Sequence, residues 1–303
     1  MAVGLQVGAR AVYAVVFRHQ GAEAVLLGAA VEPFSEAGER VQALRRVWQA
    51  LQVSSYRSCV VVTSISGTGG VVRFITLPAM TPAELKRAIP FEAKKYVPYQ
   101  SHEVVLDFQP LGPPKEGKQD VLLVAAKSEL VEQHVALLQE AGVIPQAVDF
   151  DAFALANAWE ATEGSAAGSD VTALLGVWPQ RSILNVLVGT QLRMTREFPT
   201  GTEGEISEPV APSVLEYVQE QIRLSLDYFE NQYGQGIARL VLGGKGSVWE
   251  GFAEHLQEAL GHPVKRWDPV EGIPKGPQVD GERLKAIAPD LVIAFGLGVR
   301  GVG

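Results

Sequence analysis

Apolar positions follow two rhythms along this chain, and the switches between them mark its elements. Short apolar runs at residues 3–7, 11–17 and 24–31 read as three strands, with turns at Gly8 and around Gln20-Gly21. Val41, Leu44, Trp48 and Leu51 then recur at steps of three and four, the spacing of one helical face, before a strand at 59–63. The same order returns later. Runs at 171–177, 183–188 and 192–198 are separated by Pro179-Gln180 and Gly189-Thr190. Leu215, Val218, Ile222, Leu226 and Phe229 follow as a helix face, with Pro212 at its start and Gly234 past its end. A strand at 239–242 and a helix carrying Trp249, Phe252, Leu256 and Ala259, closed by Gly261, complete the second copy. Two copies of a three-strand meander, helix, strand and helix predict an internally duplicated α/β protein with a cleft between its halves.

An extra block, 71–149, interrupts the first copy. A strand at 71–77 leads to Thr81-Pro-Ala-Glu84, where Thr81 caps a helix and Glu84 reaches back to the cap amide. Pro90 predicts a kink or break near Ile89. Strands at 103–109 and 120–127 flank a polar loop. A helix from Ser128 then shows Val131, Val135 and Leu138 on one face and ends before Gly142. This reads as a small sheet with two helices on one face.

Composition narrows the function classes. The chain has 303 residues, enough for two domains or one with an insertion, and hydrophobic residues make up 47% of it. Its net charge of −8 argues against binding nucleic acid through the phosphate backbone. The single cysteine, Cys59, excludes an intrachain disulfide and a cysteine-based zinc site, and its place in an apolar run predicts a buried thiol. The amino terminus has no basic leader, and no run approaches the ~18 apolar residues that cross a bilayer. No two of His19, His102, His134, His255 and His262 have the spacing of a metal-binding helix. Gly-rich Ser64–Gly70 lacks the Lys-Ser/Thr of a P-loop and is expected to be a loop.

One ordered set of residues carries a family resemblance. It comprises Leu77-Pro78, Met80, Glu84-Leu85, Glu92-Ala93, Tyr96, Pro98, Asp107, the run 121–126, Ala141-Gly142, Pro145 and Val148-Asp149. With it the chain resembles the type IV pilus assembly PilM family of the actin-like ATPase superfamily. The resemblance implies an actin-like (ribonuclease H-like) fold of two lobes about a nucleotide cleft. The first lobe spans 1–168 and contains the inserted subdomain 71–149; the second spans 169–303, its last helix, about 289–301, returning to the first. It further implies a scaffold of the pilus inner-membrane platform, cytoplasmic and attached to the inner membrane through partners. The implied partner is the amino-terminal cytoplasmic tail of a PilN-like bitopic membrane protein; assembly motors and self-association are further implied partners. The related cytoplasmic component of a type II secretion platform is an alternative with the same fold. For the partner groove the matching residues are Glu92, Lys95, Tyr96, Pro98 and Asp107, with Lys94 beside them.

The resemblance also implies an ATP and Mg²⁺ site, and here the chain departs from its pattern. The first phosphate loop falls on Gly4-Leu-Gln-Val-Gly-Ala-Arg-Ala-Val-Tyr13, where Gln6 replaces the acid and Tyr13 the lysine. The second falls on Gly176-Val-Trp-Pro-Gln-Arg-Ser182, without an acid and with Trp178 where the backbone must approach phosphate. The usual excursion after it is shortened to 201–211. The adenosine-side turn, 240–247, keeps its glycines; the plain alternative is a tight turn with Ser247 as a cap. If nucleotide is held at all, Gly8, Ala9, Arg10, Gly243, Gly244, Lys245 and Gly246 hold it. With the metal-positioning charges gone, the expectation is a protein that does not hydrolyse ATP and needs no metal. The competing reading is a switch that closes on ATP.

Overall fold

The computed structural model describes residues 1–20, 23–51, 59–100, 102–164, 168–200 and 210–301. The shortened segment after the second meander lies largely outside them. Contacts divide the chain into two compact units, Met1–Ile65 with Leu138–Gly303, and Ser66–Leu137.

The larger unit holds two five-stranded sheets of the same design. In the first, β1 (Ala2–Val7), β2 (Ala11–Gln20) and β3 (Glu23–Pro33) form an antiparallel meander, after which α1 (Arg40–Ala50) leads to β4 (Val60–Ile65). The sheet order is β3-β2-β1-β4-β8, with β4 and β8 (Ala147–Phe150) parallel to β1. In the second, β9 (Val171–Val177), β10 (Arg181–Val188), β11 (Gln191–Pro199), β12 (Arg239–Gly243) and β13 (Val264–Arg266) take the equivalent order β11-β10-β9-β12-β13. The duplication read from the apolar rhythm is therefore present in the strand pairing itself.

Burial explains the elements. Every residue of β9 is buried, and its two faces feed separate cores. Val171, Ala173, Leu175 and Val177 meet α5 (Pro212–Tyr233) and α6 (Phe252–Leu260), whereas Leu174 joins the core shared with the first sheet. Pro212 opens α5 and Gly234, at φ 67°, closes it in the left-handed conformation that suits glycine. Its Val218, Ile222 and Phe229 are each worth about 1.5–3 kcal/mol on burial. α1 buries Ala43, Leu44 and Val47, so of the expected face Leu44 is in the core while Val41, Trp48 and Leu51 are half-buried, and the core face is rotated toward Ala43 and Val47. Trp249 lies ahead of α6, which starts at Phe252.

Two further helices, α4 (Asp151–Glu163) and α8 (Val292–Arg300), pack together, and α8 lies on β1, β2 and β4. α7 (Gly281–Ile287) precedes α8. Glycines permit this packing: a Cβ at Gly296 would lie 1.7 Å from the Ala154 carbonyl oxygen, and one at Gly4 would lie 1.9 Å from that of Ala294. The contact of α8 with β1 is thus one of backbone against backbone.

The smaller unit is a sheet of order β5-β7-β6, formed by β5 (Gly70–Pro78), β6 (Val104–Pro110) and β7 (Lys118–Lys127). α2 (Pro82–Glu92) covers one face, burying Leu85 and Ile89 against Ile75, Val121 and Leu123. Its capping box forms as expected: Glu84 N donates to Thr81 Oγ1 at 3.3 Å, and Thr81 N donates to the Glu84 carboxylate at 2.8 Å. Pro90 does not break the helix. α2 continues to Glu92, and Ala93 N still donates to the Ile89 carbonyl. So near the end of a short helix, a missing N–H costs a single ladder bond. α3 (Ser128–Glu140) follows β7 and ends before Gly142 at φ 86°; its buried Leu138 is the first residue of the chain's return to the larger unit, and none of its residues joins the core under α2. Strand β8 takes up residues that the sequence placed at the end of the inserted block.

Candidate functional site

The sequence points to nucleotide at the β1–β2 turn, the β9–β10 turn and the turn after β12. The first is tight, with Gly8 N donating to the Ala11 carbonyl at 2.9 Å; Ala9 and Arg10 are exposed on it. Tyr13, opposite Gln6 in the β1–β2 register, packs against Gly8, where an added Cβ would meet its ring at 2.8 Å. Burial pushes the Tyr13 pKa up to about 12; the charge of Asp290 adds to the shift and that of Arg181 opposes it. Tyr13 therefore stays a neutral phenol at physiological pH.

At the second turn Trp178 is 9% exposed. Its indole lies between two glycines: a Cβ on Gly176 would sit 2.7 Å from the ring, and one on Gly244 3.1 Å from Cε2. At Gly244, φ 73°, an added Cβ would also lie 2.7 Å from the Val177 carbonyl oxygen. The adenosine-side turn is thus packed onto the β9–β10 turn. Ser247 donates to the Gly244 carbonyl at 2.7 Å from inside a 3-10 turn at Lys245–Val248 and does not cap α6, contrary to the plain expectation. Gly246 packs on Val177 in the same way.

The charges in this region are paired with one another. Arg181 forms an ion pair with Asp151 at the start of α4, stands 3.5 Å from Glu197, and places its guanidinium 5.8 Å from the Trp178 ring. Burial works to lower the Arg181 pKa, but the charges of Asp151 and Glu197 outweigh it and the net shift is upward. Ser64, placed by the sequence in a loop, lies in β4 and donates its hydroxyl to Asp151. The glycines after it form a single 3-10 turn at Gly67–Gly69. Lys245 pairs with Asp290 at 2.9 Å. Asp149 pairs with Arg300, and burial raises its pKa despite that cation. Of the sequence-selected nucleotide residues, Gly243, Gly244, Lys245 and Gly246 lie together on one turn, with Gly8, Ala9 and Arg10 on another. Asp151, Arg181, Glu197, Tyr13 and Asp290 were not selected. Tyr13 and Arg181 enter the sequence reading only as departures within the two phosphate loops, and Asp151, Glu197 and Asp290 carry no signal in it. Among the described residues, no three His, Cys, Asp or Glu side chains converge in a way that could hold a metal. Cys59 is buried.

In the smaller unit the five candidate partner residues separate. Glu92 and Lys95 pair at 2.6 Å at the end of α2; Tyr96 packs beside the α2 core, and Pro98 is exposed. Asp107 is exposed on β6 with Val105 and Gln109, whereas Val104, Leu106 and Phe108 meet the α2 core. Strand alternation therefore puts Asp107 on the sheet face away from α2. Phe91, 70% exposed, stands close to the Lys94 ammonium, 5.7 Å from its ring centroid.

A family model described as type IV pilus assembly protein PilM matches residues 19–203 and 189–302. Among solved structures, the chain is similar to the PilM-PilN type IV pilus biogenesis complex, at 26% identity and a TM-score of 0.87, over 100% of this chain and 98% of that one. The cytoplasmic domain of EpsL, an inner membrane component of the type II secretion system of Vibrio cholerae, matches at 10% identity and TM-score 0.52, over 99% and 93% of the two chains. A Bacteroides thetaiotaomicron protein with an actin-like ATPase fold and unknown function matches at 11% identity and TM-score 0.50, over 88% and 90%. The last two share the fold, which is actin-like.

Proposed function

Because the chain belongs to the type IV pilus assembly protein PilM family, we propose that it is a scaffold of the pilus inner-membrane platform that binds the cytoplasmic amino-terminal tail of a PilN-like membrane protein without hydrolysing ATP. The observation that carries the reading is the similarity along the whole chain to the PilM-PilN complex. The smaller unit supplies surfaces suited to an extended tail: the outer strand β6, with Val105 52% exposed, and the end of α2 around Phe91 and Tyr96. No helix among the described residues is long and apolar enough to cross a membrane, so in this proposal the partner supplies the membrane attachment.

The cleft supports the non-hydrolysing half of the proposal. Its residues do not fit an Mg-ATP complex. Gln6 stands where a charged group would position the metal's waters, Tyr13 packs against Gly8, and Trp178 fills the approach to Gly244. The cations Arg181 and Lys245 are engaged by Asp151 and Asp290. Transition-state charge stabilisation in phosphoryl transfer needs such groups free for phosphate and metal. The ATP-switch reading keeps one supporting observation, the glycine turns at Gly8 and Gly244.

Thermal unfolding separates the two readings, since a ligand specific for the folded state must raise Tm. The scaffold reading expects Tm to rise with a synthetic PilN-type tail peptide and to stay put in millimolar Mg-ATP. A rise with Mg-ATP alone would favour the switch.

A further inference from the structure

Helix α5 carries a second apolar stripe that the fold does not use. Its core stripe, Val214, Val218, Ile222, Ser225 and Phe229, is buried. At about 100° per residue, Tyr217, Leu224 and Tyr228 fall within about 40° of one another, roughly a quarter-turn from that core. They are 38%, 50% and 61% exposed. The spacing of seven and then four residues is that of a helix–helix seam, and the three side chains span ~16 Å of helix axis. Three large side chains on one stripe make a contiguous apolar patch, the surface feature that marks an interaction site, and aromatic residues are enriched at interfaces.

The edge of the stripe says what covers it. Glu216, Glu220 and Asp227 lie along the side away from the core and are exposed. Among the described residues, none of the three carboxylates forms an ion pair, while the nearby Arg223 donates to the Ala259 carbonyl at 3.0 Å. A second copy packed antiparallel about a two-fold axis would set these acids against their own equivalents, because like edges meet in that arrangement. An anionic bilayer surface would meet the same repulsion. A helix with an aliphatic stripe and lysine or arginine along its edge satisfies both features.

We propose that α5 is a docking surface for a basic amphipathic helix of a partner protein, seated on Tyr217, Leu224 and Tyr228 and oriented by Glu216, Glu220 and Asp227. The surface belongs to the larger unit and uses neither the cleft nor the residues proposed to meet the tail, so it stands or falls independently of that reading.

The test uses the full chain and two designed helical peptides of about 20 residues with the same leucine seam, one edged with lysine and one with glutamate. Fluorescence anisotropy should show the lysine-edged peptide binding at ~100 μM or tighter, and the glutamate-edged one at least about tenfold more weakly. L224D with Y228D should abolish binding, and E216K with E220K and D227K should reverse the preference. Tm should change little in these exposed-site variants, which excludes unfolding as the cause. Equal binding of both peptides, no binding of either, or binding that survives L224D with Y228D would overturn the proposal. So would a dimer in sedimentation that L224D dissociates, which would assign the stripe to a second copy.

Discussion

Arg181, the first residue of β10, pairs with Asp151, the first residue of α4, and so ties the second sheet to the helix that follows the first. Asp151 is 3% exposed and also accepts a hydrogen bond from Ser64. Removing one partner of a buried pair strands the other charge. Asp151→Ala should therefore lower stability by about 3–5 kcal/mol in urea titration. The Asp151→Ala, Arg181→Ala double variant should cost about 1–3 kcal/mol less than the sum of the singles. Additive losses would show that the pair is not coupled.

The contact of α8 with α4 makes a steric prediction. A Cβ at Gly296 would lie 1.7 Å from the Ala154 carbonyl oxygen, an atom of backbone that cannot swing aside. Gly296→Ala should cost about 3 kcal/mol or more. Gly38→Ala, where nothing lies within 4 Å of the added atom, should stay within about 0.5 kcal/mol. Denaturant midpoints of the two variants check this directly.

Tyr13 gives stability an alkaline limb. Its pKa is raised from 10.0 to about 12, so the folded chain keeps a proton that the unfolded chain loses first. This contribution is whole below pH 10 and is lost as pH rises through about 12. Between pH 8 and 11.5 the wild type should lose about 2 kcal/mol more than Tyr13→Phe. Parallel curves for the two proteins would remove burial of the phenol as the cause.

Local signals in the sequence were strong where one face of an element is buried. The alternating and continuous apolar runs located both meanders, and Thr81 with Glu84 located the start of α2. Strand β8 and helix α4 were not legible: β8 is four residues long, and α4 buries Ala152, Ala154, Leu155, Ala158 and Trp159 on several faces at once. The paired charges of the cleft were hidden because topology, not spacing, brings Asp151 to Arg181 and Lys245 to Asp290. Strand alternation did contain the separation of Asp107 from Tyr96, since Leu106 and Phe108 flank it as core residues. The glycines of the cleft were visible, but what occupies the space beside them was not. That depended on where the side chains of Tyr13 and Trp178 turn.

Calorimetric titration of the full chain with a PilN-type tail peptide, in the absence and presence of millimolar Mg-ATP, tests the central claim most directly. The account predicts binding with the same Kd in both conditions. It is contradicted by no heat at ~100 μM peptide, or by binding that appears only when Mg-ATP is present.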